Sequence, residues 1–197
     1  TQLVQNKDLV DEAINLSLEI IEQFPESYYN YSLLIQLLIE KDEKIRALDY
    51  INKFVEVSET NYKSMKTDEY HKFWYAESLQ QKGYYYHFID YNYEKSIINY
   101  NSAIELIKNN NTYFRRINLN LSEKKYYEAL KDLDYIQSVN KDDPDIFYKK
   151  AYVFENLNEN FKALENITLA IQKKIENPND YYIENIDGEI LDLSDLY

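Results

Sequence analysis

A chain of 197 residues, 45% hydrophobic, has enough apolar side chain to bury a sizeable core, which excludes wholesale disorder. Its 35 acidic against 22 basic residues leave a net charge of −13, which argues against phosphate-neutralising contact with nucleic acid and against docking on anionic lipid. Zero cysteines exclude disulfides, thiolate zinc sites and thiol nucleophiles, while two glycines and three prolines are too few for the tight turns of an all-β fold.

In chain order, residues 1–27 read as the end of one helix followed by a complete second helix. Ala13, Ser17 and Ile20 stand at spacings of four and three, with the apolar Ile14 after the small residue. Such spacing places side chains on one helical face, and a small residue there lets a neighbouring helix come close. Residues 28–61 repeat the device. Tyr31, Leu34 and Leu38 form a stripe, Lys41-Asp42-Glu43 reads as a polar turn, and Ala47, Ile51 and Phe54 form the second stripe.

Residues 62–75 read as an insertion. Thr67 is a candidate N-cap for a lengthened helix running through Tyr70, Phe73, Trp74, Leu79, Gly83 and Tyr86. Residues 76–109 then pair Leu79, Gly83 and Tyr86 with Ser96, Tyr100 and Ala103. Residues 110–143 pair Phe114, Ile117 and Leu121, which fit after a one-residue shift, with Ala129, Leu133 and Ile136. Residues 144–177 pair Phe147, Ala151 and Phe154 with Ala163, Ile167 and Ala170, across a turn at 156–160. Asn177 and Pro178 read as the cap and first residue of a capping helix over 178–186, within a C-terminal capping segment 178–197.

The small residues at 13, 47, 96, 129 and 163 recur at a near-constant interval of ~34 residues once the insertion is removed. Helix, turn, helix at that period resembles the tetratricopeptide repeat family. Tyr31 or Phe147 takes the family's first aromatic place, Gly83 its glycine, and Tyr86 and Phe154 its tyrosine. Ala13, Ala47, Ala129 and Ala163 take its alanine, and Pro25 its closing proline. The resemblance covers nearly the whole chain. It implies an all-α, right-handed superhelical solenoid of antiparallel helix pairs, as a single array over 1–197. Residues 1–7 supply only the tail of a first helix, so the parent protein is expected to continue N-terminally.

No catalytic constellation is recognisable. His71 and His87 would sit about 24 Å apart on one helix, too far to share a metal. There is no phosphate-binding glycine loop and no nucleophile elbow. Counting back from Gly188 puts Ile183 and Ser194 at calcium-ligand places, so no calcium loop is present. Asn-x-Ser/Thr triplets at Asn15, Asn30, Asn110, Asn120 and Asn166 read as chance in an asparagine-rich chain. No cofactor, no metal and no enzymatic activity are expected, and a cytoplasmic location fits the missing cysteines.

Tyrosine is the unusual residue, at 22 of 197. Most are read as fillers of inter-helix space whose hydroxyls reach water or a partner. The resemblance implies that the first helix of each pair lines a concave, partner-binding face, one residue beyond the packing stripe. That selects Tyr29, Ser32 and Gln36, then Gln80, Tyr84 and His87, then Tyr148, Tyr152 and Glu155. Aromatic rings and amides suit a protein or peptide partner. Ser32 and Gln36 stand where chaperone-binding members carry Lys and Asn, which disfavours a carboxylate clamp. Arg115 and Arg116 could take an anionic group. A module within a larger protein, gripping a polypeptide, is the expected function. The alternatives are a peptide-sensing receptor domain controlling an attached effector, which the lengthened helix favours, and a structural scaffold.

Overall fold

Three of the small residues singled out by the repeat, Ala47, Ser96 and Ala129, are fully buried, and the apolar residues four and seven places beyond each are buried with them. The computed structural model describes residues 2–65, 67–176, 182–184 and 190–192. Among these the helices are α1 (Gln2–Gln23), α2 (Tyr28–Glu40), α3 (Lys44–Ser64), α4 (Glu69–Phe88), α5 (Tyr93–Leu106), α6 (Asn110–Ser122), α7 (Tyr126–Val139), α8 (Pro144–Asn156) and α9 (Asn160–Glu176). Two short strands follow, β1 (Tyr182–Glu184) and β2 (Ile190–Asp192). The chain forms two compact units, residues 1–112 and 113–197, with the division inside α6.

In the first unit each helix packs on the next, α1 on α2, α2 on α3, α3 on α4 and α4 on α5. Tyr28, Tyr31, Leu34, Leu38, Ile51 and Phe54 are its least exposed large side chains, together with Tyr100. The Tyr31 and Phe54 rings stack at 5.4 Å. Close approach of α4 and α5 is allowed by Gly83, and Ser96 seals it by donating its hydroxyl to the Gly83 carbonyl at 2.8 Å. In the second unit α7 packs on α8 and α8 on α9.

The two helices that share the span read as an insertion are both long. α3 has 21 residues and α4 has 20, against 13 or 14 in α2, α5, α6, α7 and α8. The cap of α4 is Asp68, not Thr67, because the Asp68 carboxylate accepts from the Tyr70 N–H at 2.8 Å. The lengthened ends are joined by side chains. Ser58 and Ser78 hydroxyls meet at 2.9 Å, and Tyr62 stacks on Tyr75 at 5.7 Å. Burial, and then hydrogen bonding to Glu59, push the Tyr75 phenol up to about 12. Asn61 donates to the Tyr28 hydroxyl at 2.7 Å, and that hydroxyl lies 2.9 Å from His71 Nδ1. His71 thereby ties α4 to α2 and is structural.

Every turn within a helix pair uses one residue with left-handed backbone: Asp42 (φ 61°), Tyr91 (φ 50°), Lys124 (φ 55°) and Asn158 (φ 60°). The following N–H then reaches back to a carbonyl near the end of the first helix, as Glu43 does to Leu38 and Glu159 to Phe154, both at 2.8 Å. The short Asp and Asn side chains suit this backbone, whereas Tyr91 is strained there and 85% exposed, so its ring offsets little. Tyr91→Gly is expected to raise stability by about 0.5–1 kcal/mol, read as a higher urea midpoint at unchanged slope. A lower midpoint would show that the ring contributes contacts that outweigh the strain.

Further expectations are corrected. Residues 2–7 are not the tail of a separate helix, because α1 runs unbroken from Gln2 to Gln23. Among the described side chains of α1 the buried ones are Ile14, Ser17 and Ile21, so that Ile14 and Ile21 stand one residue round from Ala13 and Ile20, on the helix that packs against α2. In α6 Tyr113, not Phe114, takes the packed place with Ile117 and Leu121, and its ring stacks on Tyr135 at 4.5 Å. Within the span read as a capping helix, residues 182–184 are instead a strand. β1 pairs antiparallel with β2 in the register Tyr182 with Asp192, Ile183 with Leu191 and Glu184 with Ile190. Tyr and Ile favour strands. The proposed cap at Asn177 and Pro178 lies outside the described residues. Of the α9 stripe only Ala170 is buried, while Ala163 and Ile167 are half-buried. Phe154 of the α8 stripe is likewise half-buried.

Candidate first-helix face

Within each unit, first helices of successive pairs are bridged by side chains. In the first unit Gln81 of α4 donates its amide to the Ser32 hydroxyl of α2 at 2.7 Å. In the second, the Lys149 ammonium of α8 donates to Asn118 Oδ1 of α6 at 3.1 Å. Ser32, chosen from the sequence, is thus on the bridged face, and its partner Gln81 was missed.

The other expected residues divide by exposure. Tyr29 is 68% exposed, and Gln36 and Glu155 are exposed. Gln36 donates to Glu40 at 2.9 Å, an (i, i+4) bond along the helix surface. Tyr84 and His87 are half-buried and gather round Phe88, with ring centroids 4.7 and 3.9 Å away. Tyr148 and Tyr152, one turn apart on α8, are half-buried. Gln80 differs, at 6% exposure. It is held in a network, accepting from the Thr112 hydroxyl at 2.5 Å and donating to Glu77 at 3.2 Å. Gln80 therefore orders the face and is not displayed on it. The structure brings together Ser32, Gln81, Glu77, Gln80 and Thr112 as a ladder of polar side chains across α2, α4 and the start of α6. The spacing of Glu77 to Gln80 and Gln81, three and four residues, was the available signal.

The buried charged side chains among the described residues, Asp132, Lys149 and Lys150, lie in the second unit. Arg116 forms a two-pronged pair with Asp132. Lys150, only 8% exposed, donates to Asp134 at 2.5 Å and also to Gln137. In the first unit, burial and then the nearby Lys95 pull the Lys82 ammonium below its usual range. Among the described residues no group of three or more His, Asp or Glu side chains is placed to hold a metal ion. None of the described helices is long and apolar enough to cross a membrane.

No family model matches the chain, and no curated protein matches it. Solved structures do. A crystal structure of MamA superposes with a TM-score of 0.65 at 14% identity, over 89% of this chain and 94% of that one. MamA residues 41 to the end from Desulfovibrio magneticus RS-1 give 0.58 at 16% identity, over 82% and 84%. YrrB, described as a TPR protein with an unusual peptide-binding site, gives 0.56 at 15% identity, over 90% and 84%. At these identities the likeness is one of fold, and the fold is that of a tetratricopeptide-like helical repeat.

Proposed function

We propose that this chain is a non-catalytic module that holds a polypeptide along its first-helix face. The observation that carries the reading is the way the first helices join. Side-chain hydrogen bonds lock them to one another in each unit, and aromatic and amide groups are left at the surface beside those bonds. Tyr29, Tyr148 and Tyr152 supply broad, stiff contact area at low entropic cost, and Gln36 and Glu155 supply hydrogen-bonding groups. YrrB, similar in fold, is described as having a peptide-binding site, which supports the same reading by analogy of fold alone.

The test is capture of partners from the source cell on the native chain and on a Tyr148→Ala/Tyr152→Ala variant, with identification by mass spectrometry. A polypeptide retained by the native chain and reduced at least about tenfold on the variant supports the face, since aromatic anchors of this kind carry most of a binding energy. Equal retention, with the variant shown to be folded by its helical circular dichroism, overturns the assignment of Tyr148 and Tyr152. The lengthening of α3 and α4 favours a second reading, a receptor for a short signalling peptide. The size of the captured partner separates the two.

A further inference from the structure

Beside α4 in the first unit lies a dimple of about 10 Å³, walled by Phe73, Ala76 and Ile107 and rimmed by Glu77, Asn109 and Thr112. That volume takes one water, or one group of the same size. The hydrogen positions around it follow from the chemistry of the neighbours. A carboxylate only accepts, so the Gln80 atom 3.2 Å from Glu77 is the amide nitrogen. Gln80 Oε1 then faces Thr112, and the Thr112 hydroxyl gives its single proton to it at 2.5 Å. What Thr112 retains is lone pairs. Two amides, Gln80 and Gln81, donate to the Glu77 carboxyl oxygens and hold them in place from three and four residues along the helix. Asn109 Oδ1 accepts from the Asn111 N–H at 2.8 Å, which fixes its side chain at the start of α6.

Glu77 and Thr112 thus bring acceptors and a negative charge to the dimple, and the Asn109 amide nitrogen is a donor group at its rim. A guest that complements the Glu77 charge and the Thr112 lone pairs brings donors, positive charge and a compact head. A primary ammonium meets all three demands, with three N–H donors on a compact cation. The broad guanidinium plane fits a water-sized dimple less well than an ammonium does. Phe73, 42% exposed, and the Ala76 and Ile107 side chains offer an apolar wall for a methylene stem, and an aromatic ring favours a cation near its face. The net charge of −13 points to the same class of partner.

We infer that this dimple receives the primary ammonium of the bound polypeptide, a lysine side chain or a free amino terminus. The inference rests on the first-helix face being the binding surface, and it names the chemistry of one subsite on it.

The test is titration of the isotope-labelled full chain with four short amidated peptides, followed by backbone amide shifts. The peptides are acetyl-Ala-Lys-Ala, acetyl-Ala-norleucine-Ala, acetyl-Ala-Arg-Ala and Ala-Ala-Ala with a free amine. Saturable shifts at Glu77, Ile107 and Thr112 are expected with lysine or the free amine. Which of these two binds identifies the source of the ammonium. Norleucine, which lacks charge and donors, and arginine, whose planar guanidinium fits the dimple less well, should bind at least about tenfold more weakly. Glu77→Gln should weaken the ammonium peptide about tenfold and leave norleucine unchanged. Equal shifts with lysine and norleucine would overturn the inference, as would no saturable shift at Glu77 with either amine, the behaviour of a site for water only. Shifts confined to Tyr148 and Tyr152 would overturn it too, while leaving the first-helix face standing as a binding surface.

Discussion

Replacing either Arg116 or Asp132 by alanine is expected to cost the second unit about 3 kcal/mol or more, among the largest losses any single polar change here could cause. The two side chains meet by two bonds, Arg116 Nε to Asp132 Oδ2 at 2.8 Å and Arg116 Nη2 to Asp132 Oδ1 at 2.6 Å. Their side chains are 19% and 8% exposed, so little water screens the pair. Removing one partner leaves the other as a mostly buried charge that has lost its two-pronged counter-charge. The guanidinium also lies 5.3 Å from the centre of the Tyr113 ring, which is stacked on Tyr135, so Arg116→Ala loses packing on the aromatic pair as well. The physical reasoning makes a second, sharper demand. Arg116→Met/Asp132→Leu removes both charges and should cost less than either alanine variant. Urea unfolding followed by circular dichroism measures all three. Losses below about 1 kcal/mol for both alanine variants would mean that the pair behaves as an ordinary surface ion pair.

Gly83→Ala is expected to destabilise the first unit by about 1–3 kcal/mol, although alanine is the better helix former by about 1 kcal/mol. A Cβ at position 83 would stand 2.6 and 2.7 Å from two carbons of the Tyr100 ring. Tyr100 is 0% exposed, so its ring has no free space into which to swing. The helices would have to separate, and the Ser96 hydroxyl would lose its 2.8 Å bond to the Gly83 carbonyl. Pairing the change with Tyr100→Leu gives the control. The smaller side chain makes room, so the double variant should be less destabilised than the sum of the singles. A Gly83→Ala chain more stable than the native one would show that α4 and α5 part easily and that glycine there serves no packing purpose.

Much of the architecture could be read before any coordinates because a helix records its buried face as a spacing. Ala47, Ile51 and Phe54 were read from spacing alone and are all 0% exposed. The three-residue turn at Lys41-Asp42-Glu43 lies between α2 and α3 where it was expected. The candidate face was less legible, and Gln80 shows why. Adjacent residues on a helix differ by about 100° in direction. Which of Gln80 and Gln81 is displayed depends on how α4 leans against α2 and where Thr112 stands, a tertiary matter that spacing does not encode. The same one-residue rotation separates Ile14 from Ala13 in α1. The bond between Gln81 and Ser32 joins residues 49 apart, and that from Thr112 to Gln80 spans 32. No local pattern announces such partners. At the insertion the composition was helical throughout, so only the Asp68 cap revealed that the extra residues are shared between two helices.

The aromatic knot where the lengthened helices meet α2 also contains the chain's one tryptophan. Trp74 has the rings of Phe73, Tyr28, Phe54 and Tyr70 at 5.3, 5.7, 6.3 and 6.3 Å. All of them belong to the first unit. Light emitted by that indole therefore reports on one half of the molecule, with nearby tyrosines passing excitation to it, and the second unit is dark at that wavelength. An unfolding curve followed by tryptophan emission and one followed by helical content will coincide only if both halves let go together. Any gap between the two curves measures how independently the first half can open.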